Sequence, residues 1–276
     1  MAVKLDVSFN GMSLSEKFGI GLLSYQIQSA TSRKTRGVDI PGRHGMYKVK
    51  SAYSSKSITL SVVVEATTSG EVHKKIRTFL SWLSYQDEPK IIFTDNPDVF
   101  VKADLDSSSE YYVTRGVDNA MTYLTIELYQ YDPFTYDNGI MSYNLKCVPG
   151  ESYDVLNEGI DTPYIIRLSG IENNSTQYMS TSLGHNTLAL EDGSFIASDV
   201  TLIVNGVKQL YRGTLSHKDV LEIDSEKLTI TKNGESVITD WEGDINDLVY
   251  GNNTFIISNL ENVNLNMTVE YYRRWL

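Results

Sequence analysis

No intrachain disulfide can form in this sequence, because Cys147 is its only cysteine. That excludes a stapled secreted scaffold and fits folding in a reducing compartment. The common zinc frameworks need more thiols or paired histidines. The four histidines, His44, His73, His185 and His217, form no HxH or HxxxH pair, so no metal is expected. No apolar run approaches the roughly 18 residues of a membrane span, and MAVKLDVSFN lacks the basic-then-apolar layout of a signal peptide. Synthesis in the cytoplasm without membrane insertion is the expectation. GxSxG and the dinucleotide-binding fingerprint are absent too, which removes the common hydrolase and Rossmann readings. The acidic stretches DLDSSSE (104–110) and DWEGDINDL (240–248) lack the glycine and closing glutamate spacing of a calcium loop. The sequence implies neither a cofactor nor a catalytic residue.

What is abundant is strand-forming material. Eighteen tyrosines accompany many Thr, Ser, Val and Ile residues. SITLSVVVE (57–65), TYLTIELYQ (122–130) and VNLNMTVEY (263–271) alternate apolar with polar residues, the signature of strands with one buried face. Asn-Gly pairs at 205–206 and 233–234 sit between such runs. Both residues tolerate the positive φ that tight hairpin turns require. One segment breaks the period. TTSGEVHKKIRTFLSWLSY (67–85) sets Val72, Ile76, Phe79, Leu80 and Leu83 at helical spacing, with Thr68 and Glu71 as a capping box. The expected fold is mainly β, with a sandwich-like or barrel-like first domain carrying one helix. YDPFTYDNG (131–139) is turn-prone and marks a boundary. The expected domains are therefore 1–137 and 138–276.

Charge divides along the same line. Residues 1–137 hold 15 basic and 16 acidic residues, whereas 138–276 hold 9 and 19, within a chain of net charge −11. The acidic half would repel nucleic-acid phosphates. Within the first half, residues 31–56 carry Arg33, Lys34, Arg36, Arg43, Lys48, Lys50 and Lys56 against Asp39 alone, a local net of +6. PGRHG (41–45) lies inside this run. The next residues, MYKVKSAYS, read as a strand rather than a helix, so a phosphate loop is excluded by context. His44 has no partner motif for catalysis. PGRHG reads first as a turn, and an electrostatic docking surface formed by Arg33, Lys34, Arg36, Arg43, His44 and Lys48, an oligomer or tube interface, is the second reading. A second candidate is a sugar-stacking platform of Tyr211 and Trp241, with Tyr250 beside them.

Taken in order, LDVSFNGMSL, the basic PGRHG hairpin, SITLSVVVE, a helix ending in FLSWL, EPKIIFTDNPDVFVKADL, YQYDPF and the closing NLNMTVEYYRRWL form a set. The set resembles the distal tail proteins of long-tailed siphophages that infect Gram-positive bacteria. The resemblance implies an N-terminal domain that assembles into a six-fold ring and a C-terminal galectin-like jelly-roll sandwich. It implies a place at the virion tail tip, between the tail tube protein and the tail-associated fibre or lysin, receptor-binding and baseplate proteins. Genomic DNA would pass through the lumen, and the protein would be structural rather than an enzyme. Two other readings stand beside it: an adhesin recognising wall polysaccharide, and, less favoured, a wall-degrading hydrolase.

Overall fold

In this computed structural model, residues 5–28, 33–39, 41, 44, 46–116, 119–170, 187–189, 195–216, 218–258 and 265–276 are described. The chain is mainly β and divides into two compact units, Met1–Asn138 with Leu276, and Gly139–Trp275.

The first unit is built around one long antiparallel ladder. Lys56–Ala66 pairs with Ala120–Gln130 along its whole length, Ile58 opposite Leu128 and Val64 opposite Thr122. Ile20–Ile27 borders one side of Lys56–Ala66, while Asp104–Ser108 and Thr114–Arg115 border Ala120–Gln130. Alternation sends Ile58, Leu60, Val62, Val64, Leu124, Ile126 and Leu128 into one core. The helix Ser69–Ser84 buries Val72, Ile76, Phe79 and Leu83 in the same core. A second sheet, ordered Met12–Ser13, Val7–Phe9, Lys90–Phe93, Asn96–Lys102 and Thr135–Asp137, supplies Val7, Phe9, Ile91, Phe93 and Val101. Phe79 packs edge-on to Phe18 at 5.0 Å and tilted to Phe9 at 5.7 Å. A fully buried Phe of this kind contributes roughly 1.5–3 kcal/mol through area removed from water.

The helix start differs in detail from a reciprocal capping box. Thr68 Oγ1 accepts from the Glu71 amide at 3.3 Å, but the Glu71 carboxylate takes the amide and hydroxyl of Thr67 instead of the cap residue's own amide. A five-residue helix, Leu14–Phe18, also appears. Ser13 caps it and Gly19, at φ +63°, ends it in the left-handed region.

The second unit is a sandwich of two sheets. One runs Met141–Cys147, Leu265–Tyr271, Tyr164–Gly170, Val220–Asp224, Thr229–Lys232 and Glu235–Ser236. The other runs Ser152–Asn157, Gly251–Ser258, Phe195–Val204, Val207–Ser216 and Trp241–Glu242, with Thr187–Ala189 beside Phe195–Val204. Ile166, Leu168, Met267 and Val269 from the first meet Val200, Leu202, Phe255 and Ile257 from the second in a single core. Both expected Asn-Gly turns form with positive φ at both positions, Asn205 and Gly206 at 52° and 83°, Asn233 and Gly234 at 52° and 86°. On the outer face, Arg167 bridges Glu222 at 2.7 Å and Glu270 at 2.5 Å, half-exposed pairs of the kind that add about 0–1 kcal/mol.

One buried carboxylate ties the start of the chain together. Asp6, 8% exposed, accepts from the Val7 and Ser15 amides and from the Ser13 and Ser15 hydroxyls. Burial alone would raise its pKa, but these four donors outweigh it and hold the carboxyl below its ordinary value. Because the folded value is depressed, the stabilisation is present above the unfolded pKa of about 3.9 and is lost as pH falls through the folded value. We predict that Asp6→Asn lowers unfolding free energy by roughly 1–3 kcal/mol at pH 7. In urea titrations this deficit should close as pH drops below about 4; a deficit independent of pH would contradict the assignment.

Candidate assembly interface

The basic run folds as a ribbon. Arg33–Asp39 and Met46–Tyr53 pair antiparallel with each other and, among the described residues, with no further strand. Arg33 stands opposite Tyr53, Lys34 opposite Ala52, Arg36 opposite Lys50, and Gly37 opposite Lys48 after a bulge between Arg36 and Gly37. The backbone thus brings Arg33, Lys34, Arg36 and Lys48 into one two-stranded element. Lys34 and His44 are exposed, as are Pro41 near the turn and Val38 at 54%. Arg43 lies outside the described residues.

Physically this is a poor hairpin. Two strands alone are marginal in water, and like charges directly opposite each other destabilise a pair by roughly 0.2–1 kcal/mol. Arg33, Lys34, Arg36, Lys48 and Lys50 share this one two-stranded element, with Arg36 and Lys50 at opposite register positions. Such a surface concentrates positive charge for something else to meet.

Lys56 leaves the run. It is the first residue of Lys56–Ala66, opposite Gln130, and only 4% exposed. Burial pushes its ammonium pKa down, and the charge of Asp132 opposes that shift. Around it, Tyr53 meets Phe134 edge-on at 5.7 Å and Ser55 Oγ shares a hydrogen bond with the Tyr129 hydroxyl. Sequence patterning marks YQYDPF as a boundary but does not single out these residues at the ribbon's root.

The sugar-platform candidate is corrected. Tyr211 and Trp241 do pair across neighbouring strands. Tyr211 is only 2% exposed, however, and its ring sits over Gly213, where even an added Cβ would collide with it. Trp241 is half-buried against the core with its indole N–H enclosed. Neither arrangement leaves a pair of open ring faces for a sugar. Tyr250 remains exposed on its own. The acidic segment 240–248 is tied down by ordinary structure, with the Asp244 carbonyl accepting from Gln209 and Leu248 paired with Thr162. Among the described residues, no three His, Cys, Asp or Glu side chains converge as a metal site. His73 binds the Tyr111 hydroxyl at 3.0 Å from the long helix.

Two family models match the chain. A phage tail protein RIFT-related domain covers residues 11–120, and a siphovirus-type tail component C-terminal domain covers residues 194–275. No curated protein matches the sequence. Among solved structures, the chain is similar to the Dit protein (gp 19.1) of phage SPP1, described as a paradigm of the hub adsorption apparatus in phages infecting Gram-positive bacteria. The identity is 14%, the TM-score 0.68, and 99% of each chain is covered. It is also similar to a chain of the phage P2 baseplate in its activated conformation with Ca, at 7% identity and a TM-score of 0.53, covering 99% of this chain and 98% of that one.

Cys147 is buried, and burial pushes its thiol up to about 12, far from a reactive thiolate. The native protein should resist Ellman's reagent at pH 8 and release one equivalent only after denaturation. Rapid labelling of the folded protein would contradict this placement.

Proposed function

This chain belongs to the siphophage distal tail proteins, and from that premise we propose that it closes with copies of itself into a six-fold hub ring at the distal end of the tail. Identical subunits close a ring through heterologous contacts, in which one surface of a copy meets a different surface of the next. The observation that carries this reading is the basic ribbon. Among the described residues it pairs with neither sheet of its unit, and its run 31–56 holds 7 basic residues against 1 acidic, whereas the rest of 1–137 holds 8 against 15. An acidic surface on the neighbouring copy would neutralise it.

On this reading one ring face meets the tail tube protein. The other carries the tail-associated fibre or lysin together with receptor-binding and baseplate proteins. The second unit hangs outside the ring as a galectin-like sandwich, and genomic DNA passes through the lumen. The work is mechanical and connective, and it asks for no catalytic group. The adhesin alternative loses its best support with the burial of Tyr211.

The test is charge reversal on the ribbon. The triple variant Arg33→Glu, Lys34→Glu, Arg36→Glu should lower the assembly mass measured by light scattering, with the melting temperature of the sandwich unit unchanged. Wild-type assembly should weaken as ionic strength rises and the Debye length falls below about 10 Å. A variant that keeps the wild-type mass at every salt concentration would contradict the role given to the ribbon.

A further inference from the structure

The ribbon's root meets the end of Ala120–Gln130 and the turn that follows it at Tyr53, Ser55 and Lys56. Tyr53, the last residue of Met46–Tyr53, meets the edge of Phe134 at an interplanar angle of 79°. Two residues on, Ser55 Oγ shares a hydrogen bond with the Tyr129 hydroxyl. Next, Lys56 is buried opposite Gln130, within the field of Asp132.

That turn is itself stiff. Gln130 Nε2 donates to the Phe134 carbonyl at 2.8 Å. Asp132 accepts from the Phe134 amide through Oδ1 and from the Tyr136 hydroxyl through Oδ2. Pro133, buried between them, fixes its own φ and restricts the residue before it. Tyr136 in turn stacks on Phe100 at 5.0 Å, so the turn is anchored to the neighbouring sheet. The ribbon joins the body at both ends, after Ile27 and before Lys56, where Ile27 stands opposite Ile58 and the Gln28 amide reaches the Ser57 carbonyl. Two strands alone can still bend about that root, and the contacts on the second crossing restrict the bend.

We propose that segment 129–136, the end of strand Ala120–Gln130 with the turn after it, is a clamp that sets the exit direction of the basic ribbon through the Tyr53–Phe134 and Ser55–Tyr129 contacts and the strand pairing of Lys56 with Gln130. The clamp pre-organises the ribbon before it meets a partner, so less ordering cost falls on the docking step. These are positioning residues, acting through the ribbon rather than touching the partner. The inference rests on the reading of the ribbon as an interface, and its test separates the two.

Hydrogen exchange on the full-length protein reads the clamp directly. In Phe134→Ala, peptides spanning 33–53 should exchange faster by about fivefold or more, while the helix Ser69–Ser84 keeps its protection. Phe134→Tyr, which retains the ring, should behave like the wild type. The concentration at which the protein assembles should rise in Phe134→Ala by a similar factor. Should Phe134→Ala loosen the helix as well, Tyr53→Ser tests the same contact from the ribbon's side. Unchanged exchange across 33–53 in folded Phe134→Ala or folded Tyr53→Ser overturns the clamp. Faster exchange with unaltered assembly supports the clamp and overturns the ribbon's role as the interface.

Discussion

A two-stranded ribbon that places arginine opposite lysine has to draw its stability from outside itself. Inter-strand hydrogen bonds give a pair of strands little net advantage over water, and the run 31–56 carries 7 basic residues against 1 acidic. Two sources remain. One lies in the same chain, where the segment 129–136 grips the ribbon's last residues through an aromatic edge, a hydroxyl pair and the strand pairing of Lys56 with Gln130. The other lies in a partner whose surface accepts positive charge. The assembly role proposed for this distal tail protein stems from that imbalance more than from any single residue.

The rest of the molecule contrasts with the ribbon. Each long strand of the two sheeted bodies has one face closed in a shared core: the ladder of Lys56–Ala66 and Ala120–Gln130 under the helix, and the facing sheets of the sandwich. Polar groups inside are answered locally, as Asp6 is by two serines and two amides. Asn253 is another case, joining the Val155, Val249 and Gly251 carbonyls and the Asn205 amide group. Bodies closed in this way resist deformation.

Much of this is legible in the order of residues. Period two finds the long strands, because each has one wet and one dry face, and period 3.6 finds the helix for the same reason. Parity within a strand carries further information. Lys56 has the parity of Ile58, Leu60 and Val62, so it points inward. Tyr211 shares its parity with buried Leu215, while Lys208, Arg212 and Thr214 take the wet face. The Asn10-Gly11 pair, with φ of 50° and 78°, closes a small hairpin by the same chemistry as the turns at 205–206 and 233–234. Ser13 and Gly19 bracket a helix too short for any period to reveal. The clamp is out of reach of such patterns, since its contacts join residues about 75 positions apart and obey no local rule.

Electron microscopy of the purified full-length protein tests the central claim most directly. The account predicts six-fold rings in which the 33–53 ribbon of each copy lies against the next. Monomers at every concentration, or rings whose contacts leave Arg36 and Lys50 facing solvent, would contradict it.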